Sequence, residues 1–430
     1  MGKNVTQLNY SQKDFEQFQQ CLYRQLSQLK HTLSLPTFGD EPLQFGAELE
    51  FYLVDANNQV SCSNSELLST LNDPQFTPEL NQYNLELNLS PVSQIGTPFS
   101  KIANEIDSKM AVLKNAANTL SCSAVAVGIL PTLEQQHLQP MYMTDIGRYH
   151  CLSKHLYQQR GEPFHIQING QNPLDVKVED ICAEGANTSF QVHMMMPFNK
   201  FTDTFNAAQL TLPLVTAISA NSPIFLGHQL WDETRIALFK QSVDIRNSKD
   251  KELKAPARVN YGFGWLRSNV WDLFAQSVAL YPPLLPHLEK DVANSGLPHL
   301  NELSMHMGTL WPWHRPVYDH HNNGHMRIEF RAIPAGPTVL DMVANAAFAI
   351  GLANGLANKI DDYIAVLPFE YAEYNFYRAA QYGLDAKILW PFANPYKPEF
   401  VDIKQILEAM LPVAKQGLID LNIDVEEVNK

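Results

Sequence analysis

Apolar residues recur at helical spacing in residues 11–33, where Phe15, Phe18, Leu22, Leu26 and Leu29 mark one face of a polar stretch and predict an amphipathic helix. Residues 35–42 carry Pro36, Gly39 and Pro42 and read as a loop. From Gln44 the period changes to two. Over residues 44–54, Glu48, Glu50 and Tyr52 alternate with Leu49, Phe51 and Leu53. Over 84–89, Asn84, Glu86 and Asn88 alternate with three leucines. The same alternation returns at 164–170 with His165, Gln167 and Asn169, at 190–196 with Gln191 and His193, and at 326–331 with Arg327, Glu329 and Arg331. Such a period predicts strands with one buried face. Helical spacing reappears at 100–120, 210–220 and 338–357, and the small apolar run 123–130 reads as a buried strand.

The polar faces of these strands hold Glu, His, Asn, Gln and Arg in place of lysine-rich solvent decoration. That composition suits a polar cavity. It predicts an α+β fold in which a curved antiparallel sheet, a partial barrel, lines an active site and is backed by helices. No repeat, low-complexity tract or long linker interrupts the chain. One catalytic domain is expected over residues 1–430, with its core at roughly 36–400 and peripheral helices at 1–35 and 401–430.

Composition narrows the partners. The chain has 430 residues, 45% of them hydrophobic, and a formal net charge of −14. An acidic surface is a poor match for nucleic acid or an anionic membrane, so neither is expected as a partner. Five cysteines form no CxxC pair, and the first twenty residues have no apolar core of a signal peptide. A reducing, cytoplasmic location is expected. The apolar run 339–356 is broken by Asp341, Asn345, Gly351 and Asn354 and reads as a buried helix, not a membrane span.

Glu48 and Glu50, two apart on one strand, project to the same face. Like charges that close repel, and a divalent cation relieves them. A solvated strand face gives the same spelling. Glu86 lies on a second polar face. Glu79 lies seven residues earlier, an odd spacing that puts the two on opposite faces of any one regular strand, so Glu79 must sit in a loop or beyond a bulge. His193 and Glu329 complete an acidic set with one imidazole, whose hard oxygens favour magnesium or manganese over zinc. Arg331 would balance phosphoryl charge beside it.

The segments FGAELEFYLVD, PELNQYNLELNLSP, TSFQVHMMM, LVTAISANSPIFLG, RIEFRAIPAGPTVLDMVANAA and NFYRAAQYGLDAKI, in that order from about residue 44 to 390, resemble the bacterial glutamate–cysteine ligases and carboxylate–amine ligases of the glutamine synthetase superfamily. The resemblance implies a glutamine synthetase-like catalytic fold, two or three Mg2+ (or Mn2+) ions and ATP as co-substrate. It implies that Glu50, Glu79 and Glu86 hold one ion and that Glu48, His193 and Glu329 hold the ATP-side ion. Arg331 then contacts the transferred phosphoryl group beside Glu329, and Arg235, with Arg315 as a weaker candidate, binds the acid. The reaction implied is amide formation through an acyl phosphate, from a small acid such as glutamate and an amine such as cysteine. A small-molecule kinase, a metal-dependent hydrolase and a non-catalytic binding protein stay open at this point.

Overall fold

In the computed structural model, residues 7, 9–247, 256–289 and 296–430 are described. Residues 1–6 and 8 of the segment expected to hold a peripheral helix lie outside them. That segment's helix is α1 (Gln12–Thr32), started by Ser11, whose hydroxyl accepts from the Asp14 N–H while Asp14 accepts from the Ser11 N–H. Phe18, Leu22, Leu26 and Leu29 are its buried stripe.

Eight strands form the main sheet: β1 (Gln44–Val54), β2 (Phe76–Pro78), β3 (Asn84–Asn88), β4 (Val92–Ser93), β5 (Ser123–Val125), β6 (Phe190–Met195), β7 (His314–Asp319) and β8 (His325–Phe330). Their order is β7-β8-β6-β1-β3-β2, with β4 and β5 also paired to β1. All these pairings are antiparallel. The apolar face of β1 is buried, and Phe45 stacks at 5.8 Å on Phe99 of α2 (Pro98–Thr119). Further helices are α3 (Gly147–Arg160), α4 (Phe201–Ser219), α5 (Arg235–Ser242), α6 (Trp271–Leu280), α7 (Asn301–Met307), α8 (Val339–Ala357), α9 (Phe369–Tyr382) and α10 (Ile403–Asp420). Among the described residues only α8 is long and apolar enough to cross a membrane. It packs against α4, α10 and α2, and eleven of its residues are buried, as in a core helix.

Three expectations differ from the fold. Of residues 123–130, read as a buried strand, only Ser123–Val125 is strand, and its residues are half-buried or exposed. The C-terminal helix is not peripheral: α10 packs so closely on α8 that a Cβ on Gly417 would sit 2.0 Å from the Gly351 carbonyl oxygen. Strand Phe164–Ile168 pairs only with Leu174–Val178, in a separate hairpin. Its His165 and Gln167 bond Asp175 at 2.7 and 2.8 Å near solvent and have no part in the sheet's polar face. Period two reports a buried face, whichever layer buries it.

Candidate active site

The strand register sorts the polar face into rows. One row pairs Arg315 with Glu329, Glu329 with His193 and His193 with Gly46. The next pairs Gln191 with Glu48 and Glu48 with Asn88. A third pairs Glu50 with Glu86 and Glu86 with Thr77. The odd spacing of Glu79 and Glu86 is resolved by a hairpin. Because Thr77 on β2 faces Glu86 on β3, Glu79, two residues on, returns to the Glu86 face just after β2 ends.

Hydrogen bonds hold these side chains. Glu50 accepts from the Ser189 N–H at 2.7 Å and from Gln191 Nε2 at 3.0 Å. Gln191 Oε1 in turn accepts from Arg331 at 2.5 Å. Glu86 accepts from Asn88 at 2.7 Å and Thr77 at 3.1 Å. Glu329 accepts from Arg331 at 2.8 Å and from both Nε and Nη2 of Arg315, a bidentate pair. Arg327 donates to His193 Nδ1 at 3.3 Å, and His193 Nε2 lies 3.3 Å from Glu48.

Electrostatics divide the carboxylates. Burial opposes ionisation of Glu48, but the adjacent His193 ring outweighs it and holds the carboxyl down at about 2. Burial also opposes ionisation of Glu329, and Arg315 and Arg331 outweigh it. On the other side burial wins. Glu86 is pushed up to about 7 by burial and by Glu48 and Glu50. Glu79 is pushed well above the carboxylate range by burial and by Glu86 and Glu50. Glu50 is raised by burial, with Arg235 and the Ser189 N–H opposing. Two repelled carboxyls among three buried ones describe a site short of positive charge.

A cavity of about 400 Å3 is lined by Glu48, Glu50, Glu79, Glu86, His193, Arg315, Glu329 and Arg331, eight of the nine residues singled out from the sequence. The ninth, Arg235, is absent from the cavity wall. It is 2% exposed, and its guanidinium bonds Glu233 at 2.9 Å and the Ala332 carbonyl at 3.1 Å. It acts on Glu50 from behind the wall. A second cavity of about 500 Å3 meets the first at Glu48, His193 and Arg327. Sequence reading missed six polar wall residues: Arg148 and Tyr149 from α3, Asn301 and Ser304 from α7, Tyr318 on β7, and Glu184. Glu184 is pushed up to about 8 by burial and by Glu50, with Arg331 opposing. It sits in a 3-10 turn, Glu184–Ala186, outside any periodic pattern. A lone acid within the small-residue run Cys182-Ala183-Glu184-Gly185-Ala186 was its one signal.

Two groups of three can each hold a cation: Glu50, Glu79 and Glu86, and Glu48, His193 and Glu329, with ligand atoms in each no more than 4.8 Å apart. His193 Nε2, buried, faces Glu48 at 3.3 Å without meeting hydrogen-bond geometry, so ring and carboxylate can both turn to a shared cation. The excess of oxygen donors suits a hard divalent cation. For Glu329 to join one, an arginine must turn aside. A third group, Asp319, His320 and His321, lies at the β7–β8 turn.

The fold is that of the glutamate–cysteine ligases. The structure of glutamate–cysteine ligase from Francisella tularensis in complex with AMP superposes with a TM-score of 0.54 at 12% identity, covering 91% of this chain and 81% of that one. A bifunctional glutathione synthetase from Pasteurella multocida gives a TM-score of 0.43 at 11% identity, covering 95% of this chain and 49% of that one. No curated protein matches the sequence. Residues 44–417 match the profile of glutamate–cysteine ligase family 2, and the chain belongs to that family. It is an ATP-dependent carbon–nitrogen ligase.

Proposed function

We propose that the protein joins the side-chain carboxylate of glutamate to the nitrogen of an amine through an acyl phosphate, and that residues 1–430 act as one catalytic domain. The observation that supports the reaction is the row arrangement: two three-residue groups, each with ligand atoms close enough to share a cation, are linked because Gln191 bridges Glu50 of one to Arg331, which bonds Glu329 of the other. The single-domain reading rests on one contiguous hydrophobic core among the described residues.

A carboxylate is a poor electrophile and its acyl phosphate is a good one. An oxygen of the acid attacks the terminal phosphorus of ATP, and ADP leaves. The amine nitrogen then bonds the acyl carbon, the carbon–oxygen bond to phosphate breaks, and the ammonium's two surplus protons depart. Glu50, Glu79 and Glu86 would hold one magnesium or manganese ion, and Glu48, His193 and Glu329 the ATP-side ion. A cation bound there supplies charge neutralisation and polarisation of the phosphates. Arg331 is aimed where phosphoryl charge grows, and its contribution is electrostatic. Of the two arginines considered for the acid, Arg315 lines the cleft. No side-chain nucleophile is needed, and four of the five cysteines are buried.

The test is release of ADP and phosphate with Mg2+, glutamate and a panel of amines, with mass spectrometry of the products. The expected result is an amide formed only when acid and amine are both present. ADP with a stable phosphorylated acid and no amide would replace this reading with a kinase.

A further inference from the structure

Glu184 is the sixth carboxylate of the cleft and belongs to neither three-residue cation site. Its backbone is clamped. Asn81 donates to the Cys182 carbonyl at 3.0 Å, the buried Tyr52 hydroxyl to the Ala186 carbonyl at 2.6 Å, and Asn187 to the Glu184 carbonyl at 2.8 Å. A Cβ on Gly185 would lie 2.4 Å from Asn81 Nδ2, so only glycine lets the turn press against the Glu79 loop. The clamp fixes the main chain and leaves the carboxylate without a hydrogen-bond donor among the described residues. The charges that act on it are Glu50, which repels, and Arg331.

Beside it the cleft turns apolar. Ile181 precedes the turn by three residues. Val243 ends α5, which packs on the turn, and Phe239 of α5 holds Trp311 at 5.9 Å. Phe274 on α6 and Met305 on α7, helices packed together, complete the wall. Glu184 and this wall line the first cavity and have no part in the second, which meets the first at the Glu48–His193 end. The ATP-side ligands thus have an opening of their own, away from the apolar wall.

We propose that Glu184 and this wall form the amine subsite: the carboxylate pairs with the ammonium of the incoming amine, and the wall accepts an apolar side chain. The assignment rests on the ligase reading above. A cationic ammonium pairs with the Glu184 carboxylate, which faces the cavity, and leaves the nitrogen on the side of the cleft facing Glu50. The wall residues themselves are apolar, and Arg148, which donates to the Gly308 carbonyl at 3.5 Å just past α7, borders them in the same cavity.

The experiment compares wild type with Glu184→Gln, an isosteric change that removes only the charge, across glycine, serine, cysteine, valine, leucine and phenylalanine. Turnover is measured alongside calorimetric binding of each amine in the presence of Mg2+, glutamate and a non-hydrolysable ATP analogue. Loss of one charge-assisted contact raises the Michaelis constant for the amine roughly 10- to 100-fold, with those for ATP and glutamate unchanged. Valine or leucine should exceed glycine in kcat/KM by about tenfold, and Phe274→Ala should shrink that preference. Unchanged amine constants in Glu184→Gln, or fewer Mn2+ ions bound per chain, would overturn the subsite. Glu184-dependent binding of an amine that is never converted to amide would sink the ligase reading and leave the subsite standing.

Discussion

Two buried glutamate–arginine groups on this chain look alike in sequence and behave oppositely. Glu233 and Arg235 stand two residues apart, as do Glu329 and Arg331. Glu233 is fully buried, bonded to Arg235 and to the Asn221 N–H, yet burial outweighs those partners and its carboxyl is raised. Glu329 is as deeply buried, but Arg315, Arg331 and His193 together outweigh burial and hold its carboxyl low. One arginine does not offset burial of Glu233, and two, with the His193 ring beside them, do so for Glu329. The arginine side chains differ too: Arg235 is 3% exposed, against 13% for Arg331 and 20% for Arg315. The first group is closed on itself. The second opens on a cavity and can exchange partners with a ligand. A buried ion pair therefore says little about function until the surroundings of both members are known.

If the open group carries the chemistry, its substitutions should cost turnover, and those in the closed group should cost stability. The largest effect is expected at Glu50, which joins the row to the cation site. Glu50→Ala should lower turnover by about a thousandfold or more with the fold intact. Circular dichroism with steady-state rates checks both halves, and a fully active folded variant would remove Glu50 from the machinery. Next is Arg331→Ala, expected to cut kcat by about 10²- to 10³-fold while the Michaelis constant for ATP moves by only a few-fold, because the guanidinium matters most when phosphoryl charge develops. An effect confined to the Michaelis constant would assign Arg331 to ground-state binding. Arg235→Ala should do the reverse. It leaves Glu233 buried without its cation, costing about 3–5 kcal/mol of stability by denaturant titration. Its kcat per folded molecule should stay within a few-fold of wild type. A stable Arg235→Ala protein with a collapsed rate would return Arg235 to substrate binding.

Much of this contrast was legible before the fold was known. Period-two alternation located β1, β3, β6 and β8 to within a residue or two, and the unusual polarity of their second faces identified the cleft wall. What could not be read was depth and neighbourhood. Arg235 follows a glutamate in WDETR much as Arg331 follows one in RIEFR, and nothing local says that α5 turns its first residue into the core. Residues 164–168 alternate as cleanly as 190–195 but dock elsewhere, because alternation specifies a buried face and not the partner strand. The odd spacing puts Glu79 in a loop or beyond a bulge but does not reveal the hairpin that returns it to the face of Glu86. Glu184 was invisible because an irregular turn has no period, and its position depends on Asn81, about a hundred residues earlier.

The last and smallest effect separates the two halves of the cleft by pH. Glu86 at about 7, Glu184 at about 8 and Glu79 well above its usual range all titrate higher in the folded protein than in the unfolded chain. Between their unfolded and folded values the native state holds protons that the unfolded chain has released, so stability falls as pH rises. Glu48 and Glu329 have the opposite sign, but their contribution is lost only as pH falls below the ordinary carboxylate range. His306 at about 4 and His314 at about 3 are also depressed by burial; their contribution changes with pH only up to the unfolded histidine value of 6.5. Between pH 6.5 and 8 the raised carboxyls act without those opposing groups. In EDTA the melting temperature should decline across that window. A divalent cation binds the ionised carboxylates, so with Mg2+ the decline should flatten, opening a gap of about 3 °C by pH 8. Glu86→Gln removes one of the raised carboxyls and should narrow the gap. A gap that is constant with pH, or a melting temperature in EDTA that rises from 6.5 to 8, would mean that these carboxylates find their countercharge within the protein and that the Glu50 side of the cleft is no cation site.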